Sequence, residues 1–186
     1  MLLLKKEDIK KVFSMRDAIE ADKECYKAFS KGQFDVPLRT VISGSEGNFI
    51  FMPAYSEEMK AAGLKIVNIM PGNTAKGLPA SIGQVLLIDG ETGAVKAMMD
   101  GTYITALRTA AASGAAFDLF GLKDAEIGAL IGTGSQAMCQ LEAMLSGRKL
   151  KEVRVAARNF NKTKEFTEQA AKELGHYGAS IIPMED

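Results

Sequence analysis

The hydrophobic pattern changes character near residue 100 of the 186-residue chain. Before it, residues 36–43, 48–54, 64–69, 84–88 and 94–99 are short apolar runs separated by turn residues, which predicts successive strands. Asp89-Gly90-Glu91-Thr92-Gly93 is a hairpin signal between the last two, so this region reads as an antiparallel or mixed sheet. Residues 2–4 begin a further short strand. Ser14 is placed to cap a helix reaching about Lys31, with Asp17 and Glu20 near its positive end. Ala18, Ile19, Ala21, Cys25, Ala28 and Phe29 form its core stripe, and Gly32 stops it.

After residue 100, the run 103–120 is helical and lined with small residues that permit close packing. Strand and helix then alternate: an apolar run over 125–131, a helix over 136–145, a strand over 152–157, a helix over 162–174 and a strand over 179–182. The fold class expected is α/β, with an α+β domain over 1–122 followed by part of a dinucleotide-binding domain over 123–186. That fold in its complete form has about six strands, of which three are visible. The expectation is a truncated chain, or a fragment that depends on something else to complete its sheet.

The turn at 132–137 carries the first chemistry. Gly132-Thr133-Gly134-Ser135-Gln136-Ala137 joins a strand to a helix. Gly132 permits the tight turn, Gly134 lets backbone N–H groups approach a pyrophosphate, and the small Ala137 lets helix and strand pack closely, with the helix N-terminus facing the negative charge. The second strand follows at the distance of about 20 residues that a dinucleotide-binding unit requires. It ends in Ala156-Ala157-Arg158-Asn159 rather than in an acidic residue. An arginine there suits a 2′-phosphate, which favours NADP(H) over NAD(H); the alternative is that Arg158 stacks on adenine or faces solvent.

Composition narrows the partners. The chain is 47% hydrophobic and 25% charged with zero formal net charge, so it has no electrostatic footprint for nucleic acid or an anionic membrane. No apolar run approaches the roughly 20 residues needed to span a bilayer, and the N-terminus lacks the marks of a secretory signal. A cytoplasmic protein with small-molecule partners is expected. Cys25 and Cys139 lie in helical patterns and read as buried reduced thiols, and the single histidine, His176, as a solvated loop residue. No zinc site and no histidine-activated nucleophile is expected.

Three cations are candidates for substrate contact. Arg39 follows Pro37-Leu38 on an expected strand, where a surface charge is the plain alternative. Lys65 alternates with Leu64, Ile66 and Val67, which suggests a lysine on a largely buried strand. Arg108 interrupts a helix of Ala, Ser and Thr; it could clamp a carboxylate bidentately or form a salt bridge that tethers the domains.

MPAYS (52–56), Lys65 with IVN and MPGN (66–73), GLP (77–79), DGTYITALRTAAASGAA (100–116) and IGTGSQA (131–137) together resemble the ornithine cyclodeaminase/mu-crystallin family over essentially the whole chain. The resemblance implies an N-terminal domain that forms a homodimer and supplies substrate contacts, joined to a Rossmann domain that binds NAD(H) or NADP(H). It implies hydride transfer between a small α-amino acid and its keto or imino form. Arg39 and Arg108 would hold the substrate α-carboxylate, and Lys65 would be the catalytic group beside the reacting amino or imino nitrogen. Cofactor contacts would come from Thr109, Gly132, Thr133, Gly134, Ser135, Gln136, Ala137, Arg158 and Asn159. Two departures stand out. Ile50 occupies the position where ornithine-handling members carry an acid, which favours a smaller or neutral substrate. The family's catalytic aspartate would fall beyond Asp186. Competing readings are an ornithine cyclodeaminase, forming proline and ammonia, and a non-catalytic cofactor-binding protein.

Overall fold

The computed structural model describes residues 1–185. They fold as two compact units: Met1–Phe13 with Glu24–Thr105, and Ser14–Lys23 with the chain from Ala106 onward.

The first unit is built on a six-stranded sheet of order β1-β6-β5-β4-β3-β2. Its strands are β1 (Leu2–Leu4), β2 (Thr40–Ser43), β3 (Asn48–Ser56), β4 (Ala61–Ile69), β5 (Ser81–Asp89) and β6 (Val95–Asp100). All neighbours are antiparallel except β1, which runs parallel to β6. The expected hairpin at 89–93 is present. The Asp89 carboxylate accepts the Thr92 N–H at 2.9 Å, the Thr92 hydroxyl at 2.9 Å and Lys96 Nζ at 3.1 Å, contacts that hold its carboxyl well below the usual carboxylate range.

Two helices follow β1. The first, α1 (Lys6–Val12), lies where the sequence showed no stripe, because Ile9 is its single buried residue. In α2 (Met15–Ser30), Ser14 caps as expected: its Oγ accepts the Asp17 N–H at 3.2 Å, and its N–H donates to Asp17 Oδ2 at 2.9 Å. The expected core stripe is corrected. Met15, Ala18 and Ile19 are buried, whereas Ala21, Cys25 and Phe29 are exposed. Helical periodicity continues past Lys23, but α2 leaves the second unit there, so the later turns have no such core to enter. Cys25 is therefore exposed rather than buried, and Cys139 is half-buried.

The helix α3 (Gly101–Phe120) starts with Asp100 Oδ1 accepting the Tyr103 N–H at 2.9 Å, while Thr102 Oγ1 accepts the Gly83 N–H at 2.9 Å and ties this turn to β5. Further along, a Cβ on Gly114 would come within 2.6 Å of Ile19 Cδ1, so glycine here lets α2 and α3 touch.

The second unit contains a parallel sheet of order β7-β8-β9, formed by β7 (Ile127–Ile131), β8 (Glu152–Ala156) and β9 (Ser180–Met184). The crossover helices are α4 (Ala137–Gly147) and α5 (Phe160–Leu174). Leu141, Leu145, Leu150, Val153, Val155, Ala170 and Leu174 form the core on one face of the sheet. The opposite face is open, with Ile131 89% exposed, and β7 is an edge strand. His176 is exposed in a single 3-10 turn, its ring 4.3 Å from that of Tyr177. Among the described residues, no helix is long and apolar enough to cross a membrane, and no three His, Cys, Asp or Glu side chains group as metal ligands.

Candidate functional site

The glycine loop sits where β7 ends. Gly132 has φ +103°, a conformation that a β-carbon disfavours, and its N–H donates to the Ala156 carbonyl at 2.7 Å. That bond ties the loop to the carboxyl end of β8, so the β7 and β8 termini lie side by side, as a dinucleotide crevice requires. The Gly134 carbonyl accepts the Ala137 N–H at 3.0 Å as α4 begins. No side chain caps α4. The Ala137 N–H is used within the loop, and the helix dipole at this end favours an anion. A Cβ built on Gly134 meets nothing within 4 Å, so the loop leaves room for phosphate to approach the backbone. Ala137 is buried, Thr133 is half-buried, and Ser135 and Gln136 are exposed. These residues fit a dinucleotide.

At the end of β8, Arg158 is exposed. Asn159 Oδ1 accepts the Lys162 N–H at 3.1 Å and caps α5, which commits its carbonyl oxygen to the helix and leaves its amide N–H groups for other work.

The substrate candidates fall into two groups. Arg39 and Lys65 belong to the first unit. Thr40 pairs with Phe51, and the next residue, Met52, pairs with Lys65, so Arg39 lies at the margin of the row that holds Lys65. Lys65 is half-buried rather than largely buried, as are its β4 neighbours, because the two faces of this sheet remain partly open. On its face it is flanked by Met52 and Val85 across the ladder, and by Gly63 and Val67 along the strand. Ile50, paired with Val67, shares that face. These neighbours are uncharged.

Arg108 and Thr109 belong to the second unit with the glycine loop, Arg158 and Asn159. Arg108 is exposed on α3 and Thr109 is half-buried. Burial pushes the Asp22 carboxyl on α2 above its ordinary value, and the Arg108 charge opposes that rise.

One charged cluster escaped the sequence reading. Asp118, 11% exposed on α3, receives Lys23 Nζ at 2.6 Å, Arg16 Nη1 at 2.8 Å and Arg148 Nη1 at 3.3 Å. Burial pushes its carboxyl up, but the Lys23 hydrogen bond and the Arg16 and Lys23 charges prevail and hold it below the ordinary value. Arg148 also donates to the carbonyls of Phe117 at 3.0 Å, Gly121 at 3.0 Å and Leu122 at 2.8 Å, and lies 4.8 Å from the Phe117 ring centroid. It thereby adds a cation to carbonyls at and just beyond the end of α3, where the helix dipole favours positive charge; that of Phe117 also accepts the Gly121 N–H at 2.8 Å. The signal available was a lone acid in AAFDLFG (115–121), an otherwise apolar stretch.

Comparison with known proteins completes the picture. Residues 1–181 match the model of the ornithine cyclodeaminase/mu-crystallin family. The chain is 35% identical to the alanine dehydrogenase of Archaeoglobus fulgidus, across 100% of this chain and 56% of that protein. The solved structure of Thermococcus litoralis Delta(1)-pyrroline-2-carboxylate reductase in complex with NADH and L-proline superposes with a TM-score of 0.90 at 39% identity, covering 100% of this chain and 57% of that one. A lysine cyclodeaminase structure superposes with a TM-score of 0.79 at 32% identity, covering 100% of this chain and 56% of that one. The chain thus spans slightly more than half the length of these relatives. With its family model matched almost end to end and its glycine loop formed between β7 and α4, this chain belongs to the ornithine cyclodeaminase/mu-crystallin family.

Proposed function

We propose that this protein is a nicotinamide-nucleotide-dependent oxidoreductase that interconverts a small α-amino acid and its keto or imino acid. The observation that carries the reading is the glycine loop, open at Gly134 and tied to the β8 terminus, in a chain similar throughout to an alanine dehydrogenase and a pyrroline-2-carboxylate reductase. A bound nicotinamide supplies or accepts the hydride. In this reading residues 123–186 contribute part of the nucleotide-binding domain, with Gly132, Thr133, Gly134, Ser135, Gln136 and Ala137 along the pyrophosphate, and Thr109 and Asn159 adding polar contacts. Residues 1–122 contribute substrate contacts and the homodimer. Arg39 and Arg108 bind the α-carboxylate through charge-assisted, fork-shaped hydrogen bonds. Lys65 sits beside the reacting nitrogen and exchanges protons with it. The apolar Ile50, on the face of the sheet that holds Lys65, favours a substrate side chain that is small or neutral.

The cofactor preference proposed is NADP(H) over NAD(H), from the exposed Arg158 at the end of β8 and the absence of an acid in Ala156-Ala157-Arg158-Asn159. Relatives of known structure carry NADH or NAD, so this preference is the sharper claim. Titration of the two cofactors decides it: NADPH binds about tenfold tighter than NADH, and Arg158→Ala removes the difference. Equal affinities would end the preference.

Activity is tested by following NADPH oxidation with pyruvate plus ammonia and with Delta(1)-pyrroline-2-carboxylate, on this chain and on a longer form of the protein. Turnover of either substrate supports the reading. The likeness to a lysine cyclodeaminase keeps a second reading in view, in which ornithine gives proline and ammonia without net change in cofactor. Tight cofactor binding with no turnover in the longer form would select a non-catalytic binding protein instead.

A further inference from the structure

Arg148, the residue that ends α4, uses its whole guanidinium. Nε donates to the Leu122 carbonyl at 2.8 Å, and Nη1 to the Gly147 carbonyl at 2.7 Å and to Asp118 Oδ1 at 3.3 Å. Nη2 donates to the carbonyls of Phe117 and Gly121, each at 3.0 Å. A guanidinium has five N–H donors in a fixed fork, so none is left over. The acceptors lie on three stretches: the end of α3 at Phe117 and Asp118, the link into β7 at Gly121 and Leu122, and the end of α4 at Gly147. A cap for α3 needs only the first of these.

The same elements touch closely between these points. A Cβ on Gly147 would lie 3.3 Å from Asp118 Oδ1 and from Phe117 Cδ1, one on Gly114 3.4 Å from Ala143 Cβ, and one on Gly128 of β7 2.5 Å from Met144 Sδ. β7 and α4 are thus joined at both ends, by the glycine turn at 132–137 and by Arg148. The eleven residues of α4 span about 16 Å at 1.5 Å per residue, so the two joints lie at opposite ends of one stiff rod. Apolar packing between the joints is non-directional and resists separation more than sliding. Hydrogen bonds depend on direction, so those of Arg148 set the axial place of the helix.

We infer that Arg148 is a positioning residue for the nucleotide loop: it fixes how far α4 lies along β7, and with that the shape of the turn at 132–137 between them. The inference rests on the proposed binding of a nicotinamide dinucleotide at that turn. Axial slip of α4 would carry the Ala137 N–H away from the Gly134 carbonyl, now at 3.0 Å, and pull on Gly132, whose N–H is held by the Ala156 carbonyl at 2.7 Å. Backbone contacts to phosphate weaken steeply with such changes in distance and angle. Arg148 touches no part of the cofactor and acts through the turn.

The test combines amide hydrogen exchange at Gly132 with NADPH titration, on this chain, under conditions where each variant is folded by circular dichroism. Arg148→Met removes all five donors, and Arg148→Lys keeps the charge beside Asp118 without the fork. Leu174→Ala, which truncates the core from α5, controls for lost stability. Both Arg148 variants should quicken Gly132 exchange and weaken NADPH binding about tenfold, a size usual for changes passed through packed elements. Leu174→Ala should leave both readouts as in the wild type. If Arg148→Met fails to fold, Arg148→Lys carries the test. Wild-type exchange and affinity in Arg148→Lys would mean that charge alone suffices, which overturns the inference. A loss in Leu174→Ala equal to that in the Arg148 variants also overturns it, as the mark of general destabilisation. If the wild type binds neither NADPH nor NADH, the proposed function falls, while Gly132 exchange still decides whether Arg148 positions the turn.

Discussion

In the second unit Met15, Ile19, Leu141, Val153, Val155 and Thr163 are fully buried, and they are the largest such side chains among the described residues. The first unit has longer strands, nine residues each in β3, β4 and β5, yet every residue of β4 is only half-buried or exposed. The contrast separates two tasks that a fold performs. Ladder hydrogen bonds fix register along the first sheet, but they do not remove apolar area from water, which is the larger source of stability. The second unit carries its own core on one face. The first presents ordered apolar faces that a further surface could cover, in keeping with the proposed homodimer.

The contrast can be broken by truncating one side chain in each unit. Leu141→Ala is expected to cost about 3 kcal/mol in urea unfolding. Phe51→Ala, on the half-buried β3, is expected to cost about 1 kcal/mol at low protein concentration, because less of its area leaves water. The Phe51 cost should grow with protein concentration if a second copy covers the sheet. Equal costs, independent of concentration, would remove the distinction.

Arg148→Met sharpens it from the polar side. The variant strips the end of α3 of three carbonyl partners and takes one cation from Asp118. A loss of about 2 kcal/mol is expected, below the usual range for breaking a buried pair because Lys23 and Arg16 still serve Asp118. Within the glycine loop, Gly132→Ala should cost about 1 kcal/mol, since φ +103° is disfavoured for any residue with a β-carbon. Gly134→Ala should leave stability unchanged and weaken NADPH binding, because its methyl enters open space where phosphate would approach. The smallest effect concerns acid. The Asp118 carboxyl is held below its unfolded value, so its contribution is present above that value and is lost as pH falls through the folded one. Stability should therefore decline below about pH 4, and Asp118→Asn should flatten that decline.

How far the chain could be read beforehand depended on the range of the interactions. The hairpin at 89–93, the Ser14 cap and the strand-loop-helix at 127–147 are local devices, and each stands within a few residues of its sequence signal. The burial of α2 is not local. Ala21, Cys25 and Phe29 keep the helical period of Ile19, but what they face is decided by where the chain leaves the second unit. The Asp118 cluster joins residues 95 and 30 positions apart, and no periodicity relates Lys23 or Arg148 to it. Of the candidate site, the loop glycines were legible because a backbone conformation demands them. The surroundings of Lys65 were less so, since a period of two distinguishes faces but not how far each face is covered.

The composition of β7, at the edge of the sheet formed by the described residues, bears on what can lie beside it. Ile127-Gly128-Ala129-Leu130-Ile131 is an uncharged strand with one free edge, and its outward residues Ile127, Ala129 and Ile131 are exposed. Natural sheets guard such edges with charge, proline or a bulge, and β7 has none of these along its length; the nearest charges, Lys123, Asp124 and Glu126, lie just before it. An edge of this composition is suited to a neighbouring strand rather than to water.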